Sequence, residues 1–137
     1  MQENNLPRLL HFKKVGFPTE GYISIAEAGS ELPFVPQRIF WTYFTPHEVI
    51  RGRHAHYQTE MVLVAVNGRI EVNTEMPNGD AQLFVLENPS TGVYLPPLCW
   101  HTMQYSHNAV QMVLASTRYD PDDYIRSYDE YKALAER

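Results

Sequence analysis

The segment RGRHAHYQTEMVLVAVNGRIEV, residues 51–72, is the most informative stretch about the fold. It begins with two histidines one residue apart, His54 and His56, and continues into the apolar run Glu60–Val66. This run is rich in β-branched residues, which is typical of a strand. Because it is apolar at odd and even positions alike, we predict a central strand covered on both faces.

Short strands separated by turn signals extend in both directions from this segment. Asn67-Gly68 predicts a hairpin between Glu60–Val66 and Arg69–Glu75, and Pro77–Asp80 predicts a second hairpin turn. Further strand-like runs lie at residues 21–28, 37–44, 81–87, 92–96, 100–106 and 109–116. Regularly spaced strands with tight turns predict an all-β sandwich or barrel.

The C-terminal residues follow a helical pattern instead. Asp120 is a suitable N-cap and Pro121 a suitable first helical residue. In the segment that follows, up to Arg137, Tyr124, Tyr128 and Tyr131 would lie along one stripe. We therefore predict one C-terminal α-helix, with these tyrosines packed on a single β domain that spans residues 1–137.

Composition limits the classes of function. The formal net charge of −5 disfavours nucleic acid as a partner. No run approaches the ~18 apolar residues of a membrane helix, and the first residues lack a signal-peptide pattern, so no membrane association is predicted. The single cysteine, Cys99, excludes an intrachain disulfide and favours the cytoplasm.

The two histidines have three possible roles: metal ligands, proton-transfer groups, or polar residues that are simply satisfied. Side chains two residues apart on a strand share a face, so His54, His56, Gln58 and Glu60 are expected to point the same way unless a bulge intervenes. Arginines at positions 51 and 53 lie beside the pair, and nearby positive charge opposes both metal binding and imidazole protonation.

The spacing of these residues resembles the two cupin motifs. The first motif consists of two histidines, a glutamate and a glycine, and the second of glycine, proline and a third histidine. The matching residues are His54, His56, Glu60 and Gly68, then Gly92, Pro96 and His101. In metal cupins the three histidines and the glutamate bind a transition metal.

A more specific resemblance comes from four segments together: RGRHAH, GVYLPPLCWH, AVQMVLAS and YDPDDYIRSYDEY. They are similar to the sugar-nucleotide 3,4-ketoisomerases, which move the keto group of dTDP-4-keto-6-deoxyglucose from C4 to C3 in deoxyaminosugar pathways. The resemblance implies a cupin/jelly-roll β-barrel with one C-terminal α-helix. It also implies a metal-independent homodimer without a cofactor, whose N-terminal strands exchange between subunits.

The resemblance implies six site residues in this chain. His54 and His56 match the catalytic pair, Arg38 and Arg51 match arginines near the nucleotide diphosphate, and His101 matches a pocket position. Family members often have tyrosines just after the position of Arg38, where this chain has Phe40 and Trp41. A substrate-binding tyrosine on this strand would therefore be Tyr43, unless that role moves elsewhere in the chain.

Two other functions remain possible at this stage. One is a metal-dependent cupin enzyme, and the other is a non-catalytic cupin that binds a sugar nucleotide.

Overall fold

The computed structural model describes residues 5–135. Their elements run in the order β1 (Arg8–His11), β2 (Lys13–Phe17), β3 (Gly21–Ile25), β4 (Arg38–Tyr43), β5 (Ile50–His56), β6 (Met61–Asn67), β7 (Ile70–Glu75), β8 (Ala81–Leu86), β9 (Thr91–Leu95), β10 (Trp100–Tyr105), β11 (Val110–Ala115), a 3-10 helix (Pro121–Asp123), β12 (Tyr124–Ile125) and α1 (Tyr128–Leu134). Within this part of the chain, no helix is long and apolar enough to cross a membrane.

Two five-stranded antiparallel sheets face each other. Their strand orders are β1-β9-β6-β11-β4 and β12-β5-β10-β7-β8, while β2 and β3 pair only with each other. The main core lies between the sheets and includes Leu63 and Val93 from the first and Val72 and Phe84 from the second. The predicted all-β cupin/jelly-roll fold with one C-terminal α-helix is confirmed.

The central position of β6 is also confirmed. Its first five residues, Met61–Ala65, are buried. Odd-numbered side chains such as Leu63 contribute to the core between the sheets, whereas Val62 and Val64 pack in a second cluster on the outer face with Phe12 and Tyr94. This two-sided burial accounts for the continuous apolar run in the sequence.

The hairpin predicted at Asn67-Gly68 is wrong. β6 is already paired along both edges, with β9 and β11, so no edge is left for the strand that follows. The chain therefore crosses to the other sheet, where β7 pairs with β8 and β10. The crossing loop is tight: Gly68 has φ 74°, and an added Cβ would lie 2.7 Å from Ala109 Cα. The hairpin at Pro77–Asp80 is confirmed by the β7–β8 pairing.

The predicted C-terminal helix starts seven residues later than expected. Asp120 does act as a cap, since its Oδ1 accepts from the Asp122 amide at 3.0 Å, but it caps only the 3-10 helix. Tyr124 and Ile125 then pair with the open edge of β5. The α-helix begins at Tyr128, after the N-cap Ser127. Residues 136–137 of the predicted helical segment lie outside the described part.

The N-terminal segment packs on its own chain before it leaves the barrel. β1 pairs with β9, and Phe12 is buried against Gly92, where an added Cβ would lie 2.9 Å from the Phe12 ring. The β2–β3 hairpin that follows carries exposed apolar side chains, including Phe17 and Ile23. This hairpin adds no strand to either main sheet.

Candidate active site

A cavity of about 220 Å³ opens between the two sheets. It brings together four of the residues predicted from the sequence, namely Arg51, His54, His56 and His101. The other lining residues are Phe40, Thr42, Gly52, Met61, Leu63, Met103, Tyr105, Gln111, Val113, Tyr124 and Arg126. The wall is therefore mostly apolar with a few polar groups, as in typical small-molecule sites.

A β-bulge in β5 places both Arg51 and His54 at the cavity. In a regular strand, residues three apart point to opposite faces. Here the register against β10 shifts, and the bulged residues Gly52 and Arg53 have φ 87° and 60°. Gly52 approaches β10 so closely that an added Cβ would lie 2.8 Å from the His101 carbonyl oxygen. The bulge turns Arg53 to the exposed side, so Arg51 is the arginine beside the histidines in the cavity.

Three imidazoles meet in this cavity. The ring centroid of His54 lies 5.0 Å from that of His56 and 4.7 Å from that of His101. The Nδ1 atom of His54 lies 3.0 Å from the Gly52 carbonyl oxygen, and that of His101 lies 3.0 Å from the Cys99 carbonyl oxygen. Because a carbonyl can only accept, each Nδ1 carries the hydrogen, and in the neutral ring Nε2 keeps a free lone pair.

The surroundings keep these imidazoles neutral. Burial is the largest cause of a lowered pKa in all three rings. The charges of His54, Arg38 and Arg126 add to burial at His56, whose pKa falls to about 3. Burial and the neighbouring imidazoles lower the pKa of His101 to about 3 as well, against the opposing bond to the Cys99 carbonyl. At neutral pH the cavity thus presents imidazoles able to accept protons.

Tyr124 covers the histidine pair, a position that the sequence prediction missed. Its ring centroid lies 4.5 Å from that of His56 and 5.1 Å from that of His54. Arg38 Nη1 donates to the Tyr124 hydroxyl at 3.5 Å, and the Arg126 guanidinium lies 4.2 Å from the ring centroid. Arg38 therefore lies at the margin of the site, where its positive charge helps to lower the pKa of His56.

The signal that could have located Tyr124 is the sequence Ser127-Tyr-Asp-Glu130. A serine followed three residues later by glutamate marks a helix start. The Ser127 hydroxyl does accept from the Glu130 amide, at 3.3 Å. Placing the helix after Ser127 would have left Tyr124 free to lie in an extended segment beside the histidines.

Asp123 holds this segment in place. Its carboxylate accepts from the amides of Gln58 at 2.9 Å and Thr59 at 3.2 Å, and also from the Thr59 hydroxyl. Its carbonyl oxygen accepts from the Tyr57 amide at 3.0 Å. One aspartate thus ties the turn after β5 to the residue that precedes Tyr124.

Glu60 does not join the histidines. After His56 the chain turns from one sheet to the other, and Glu60 lies on the outer side with Val62, where its Oε1 accepts from the Tyr94 hydroxyl at 2.6 Å. Gln58 is exposed. The expectation that all four side chains share a face is therefore wrong beyond His56, because the face is continuous only within β5.

The residues present do not fit the cupin metal-ligand set. Its glutamate is bonded to Tyr94 rather than aimed at the three imidazoles. Within residues 5–135, no group of three or more histidine, cysteine, aspartate or glutamate side chains is arranged to hold a metal ion. The charges of Arg38 and Arg126, which disfavour protonation of the histidines, would also oppose a bound cation.

Tyr43 is not brought to the cavity. Along β4, Phe40 and Thr42 line the cavity, and the alternate residues face the other way. Tyr43 is among the latter and is 54% exposed. The expectation rested on the lack of a hydroxyl at Phe40 and Trp41, but the parity of the strand turns Tyr43 away.

Several buried polar atoms at the site have no hydrogen-bond partner within the described residues: Arg38 Nε, His56 Nε2, the Tyr105 hydroxyl and Gln111 Oε1. Such atoms are rare in folded proteins, and each needs an explanation. Sequence reasoning missed Tyr105 and Gln111. The alternation of β10 could have found Tyr105, since it shares a face with His101 and Met103.

Comparisons with known proteins agree with this geometry. Residues 5–136 match the profile of the FdtA family, described as WxcM-like, C-terminal. A TDP-4-oxo-6-deoxy-α-D-glucose 3,4-oxoisomerase from Aneurinibacillus thermoaerophilus is 38% identical over 126 residues, which cover 91% of this chain and 89% of that protein.

Solved structures give the same result. The sugar 3,4-ketoisomerase QdtA from Thermoanaerobacterium thermosaccharolyticum, in complex with TDP, superposes with a TM-score of 0.90 at 31% identity, over 98% of this chain and 97% of that one. A variant of QdtA in complex with TDP-4-keto-6-deoxyglucose also gives 0.90 at 31% identity, over 99% and 96%. The predicted resemblance is confirmed, and the chain belongs to the FdtA family of WxcM-like, C-terminal proteins.

Proposed function

We propose that this protein is a 3,4-ketoisomerase of dTDP-4-keto-6-deoxyglucose. The main supporting observation is the set of three buried imidazoles that meet in one cavity of mixed polarity. The relative from A. thermoaerophilus carries the name of this activity, and QdtA has been solved with TDP and, as a variant, with the 4-keto sugar nucleotide.

The reaction requires two proton transfers to and from carbon. A base removes the proton from C3, and the C4 carbonyl oxygen gains a proton, which gives an enediol. A proton is then delivered to C4 while the C3 hydroxyl loses its proton and becomes the ketone. The sum is an isomerisation without net oxidation.

His54 and His56 are the groups suited to these transfers. A neutral imidazole can take a proton from carbon, and a protonated imidazole that has exchanged with solvent can donate one. His54 offers an Nε2 lone pair because its Nδ1 hydrogen is bonded to the Gly52 carbonyl. His56 has a buried Nε2 without a hydrogen-bond partner among residues 5–135. The pair shares the transfers, while His101, oriented by the Cys99 carbonyl, binds substrate oxygen.

Arg51 and Arg38 bind the nucleotide diphosphate. Arg51 is exposed at the cavity, and Arg38 lies at its margin with a buried Nε that lacks a partner in the described part of the chain. Guanidinium groups suit phosphate because they donate in a planar fork and stay charged. The acidic chain thus attracts its anionic substrate locally rather than through its net charge.

The direct test follows the reaction by NMR in deuterated water with dTDP-4-keto-6-deoxyglucose as substrate. The expected product is the 3-keto isomer with deuterium at C4. Binding of dTDP without deuterium uptake would instead identify a non-catalytic binding protein. The enzyme needs no metal in this proposal, so a stoichiometric transition metal whose removal abolishes turnover would identify a metal-dependent cupin enzyme.

We also propose a homodimer in which N-terminal strands cross to the partner. The exposed apolar residues of the β2–β3 hairpin support this assembly: Val15, Phe17, Tyr22 and Ile23 are each at least half exposed. Ile39 and Trp41 add an apolar patch on the outer face of the edge strand β4. Large exposed patches of this kind mark interaction surfaces, and exposed strand edges are commonly covered by a partner.

The oligomeric state should be tested with substitutions in the β2–β3 hairpin. Deleting the first 14 residues would also remove β1 from its pairing with β9 and would damage the chain's own core. The substitutions Phe17→Ser and Ile23→Lys, made together, leave that core intact and should yield monomer by size-exclusion chromatography with light scattering. A variant that stays dimeric would contradict strand exchange.

A cytoplasmic location stays a prediction from the sequence.

A further inference from the structure

We propose that Tyr105 and Gln111 form a hydroxyl-binding subsite that receives the C2 hydroxyl of the hexose. This inference rests on the proposed function for the identity of the sugar. Nothing in the predicted catalytic set includes these two residues, yet both line the same cavity as the histidines.

The fold places the two residues on the strands that flank one turn, and both line the same cavity. Tyr105 is the last residue of β10, Gln111 is the second residue of β11, and the turn between these strands joins the two sheets. His101 lies on the same face of β10 as Tyr105, so both side chains enter the cavity from one strand.

The burial of these groups leaves one donor and one acceptor without a partner inside the described chain. Tyr105 is 2% exposed and Gln111 is 1% exposed. The Tyr105 hydroxyl and Gln111 Oε1 have no hydrogen-bond partner within residues 5–135. Leaving a polar atom buried without a bond destabilises the folded protein, so each such atom needs an explanation, and a bound ligand that bonds to it supplies one.

The donor and acceptor characters of the two groups define the ligand. Burial raises the pKa of Tyr105 to about 12, so its phenol stays protonated and can donate. Gln111 Oε1 can only accept. A carbonyl oxygen would satisfy the phenol alone, whereas a hydroxyl group accepts from Tyr105 and donates to Gln111.

The chemistry of the substrate then selects one hydroxyl. The hexose of dTDP-4-keto-6-deoxyglucose has free hydroxyls only at C2 and C3. The C3 hydroxyl becomes a ketone during the reaction and can no longer donate. The C2 hydroxyl is unchanged, so it alone satisfies both protein groups from substrate to product. The subsite thus holds the ring in place while C3 and C4 react.

The test measures affinity rather than turnover, in protein that also carries His56→Asn so that the ligand is not consumed. Tyr105→Phe and, separately, Gln111→Met should each weaken binding of dTDP-4-keto-6-deoxyglucose by about tenfold, the effect of losing one buried hydrogen bond. Affinity for dTDP alone should not change. The matched control is Tyr128→Phe, which removes an exposed hydroxyl bonded to Glu75.

The 2-deoxy analogue of the sugar nucleotide identifies the hydroxyl. We expect it to bind equally well to the Tyr105→Phe protein and its parent, because the lost partner is already absent from the ligand. An equal tenfold loss with the analogue, or unchanged affinity for the full sugar nucleotide, would overturn the proposal. Since these are binding measurements, a wild-type protein that fails to isomerise the sugar refutes the proposed activity without deciding the subsite.

Thermal unfolding separates this role from a structural one. Because the Tyr105 hydroxyl has no partner in the described chain, Tyr105→Phe should leave the melting temperature of the ligand-free protein unchanged or higher. The increase in melting temperature produced by the sugar nucleotide should be smaller than in the parent. A lower melting temperature with unchanged ligand affinity would assign the hydroxyl to folding and overturn the proposal.

Discussion

Two regions of the chain build the active site in different ways. Arg51, His54, His56 and His101 lie on β5 and β10, which pair along most of their length within a five-stranded sheet. Tyr124 lies on the two-residue edge strand β12 of the same sheet, and the residue before it, Asp123, bonds to the turn after β5. The proposed catalytic residues thus lie on long paired strands, whereas their aromatic cover lies on a short edge strand that Asp123 also anchors. Changes in the two regions should therefore have different effects.

The largest effect is expected in the region formed by β5 and β10, at the histidine pair His54 and His56. His56→Asn should reduce turnover by about 10²-fold or more, because it removes a group that transfers protons. Affinity for dTDP and the free energy of unfolding should change little. His54→Asn should behave in the same way. The control His107→Asn alters an exposed turn residue, and near-normal turnover in both His54 and His56 variants would refute the assignment.

The next effect concerns Arg51. Arg51→Ala should weaken dTDP binding by about 1.5–3 kcal/mol if a charge-assisted hydrogen bond to phosphate is lost. Arg53→Ala is the matched control, because the bulge turns that arginine to the exposed side two residues away. Isothermal titration calorimetry with dTDP gives both affinities. Equal losses in the two variants would indicate a general charge effect rather than a contact by Arg51.

Acid should destabilise the region formed by β5 and β10 selectively. The pKa values of His56 and His101 are lowered to about 3 in the folded protein, against about 6.5 in an unfolded chain. Between these values the unfolded chain binds protons that the folded chain does not. The contribution of these two imidazoles to the free energy of unfolding is therefore fully present above about pH 6.5. It decreases as the pH falls, by about 2 kcal/mol for each imidazole at about pH 5.

Denaturant unfolding as a function of pH measures this loss. His101→Gln removes one of the two imidazoles with the strongest shifts, so its stability should decrease less steeply between about pH 6.5 and 5. An identical pH dependence in the variant and the wild type would contradict the lowered pKa of His101.

The smallest effect is expected in the C-terminal region. Asp123→Asn keeps the shape of the side chain but replaces one acceptor oxygen, so it should lower the free energy of unfolding by about 1–2 kcal/mol. Turnover should fall too, because Tyr124 loses its fixed position over the histidines. Asp122→Asn is the control, since that side chain is exposed. A variant with unchanged stability and turnover would show that β12 pairing alone holds the segment.

The sequence predicted the features that follow from local patterns. The buried strand β6, the hairpin at Pro77–Asp80 and the imidazole cluster all follow from residue spacing. The hairpin at Asn67-Gly68 was wrong because turn preference is local, whereas strand pairing depends on which edges are free. Glu60 was misplaced for a similar reason, since a change of sheet breaks the alternation of faces. The bulge at Gly52 was not predictable, because it depends on the contact with β10.

The partners of the Nδ1 atoms affect how the site tolerates mutation. His54 and His101 are oriented by the main-chain carbonyls of Gly52 and Cys99 rather than by carboxylate side chains. No substitution can delete a main-chain carbonyl, so the proton stays on Nδ1 whatever side chain replaces Cys99. Only a change that displaces the backbone could disturb it. Gly52 is the position most sensitive to substitution, because any added Cβ there would clash with the backbone of β10. The tautomers of these two imidazoles are thus set by the path of the main chain rather than by neighbouring side chains.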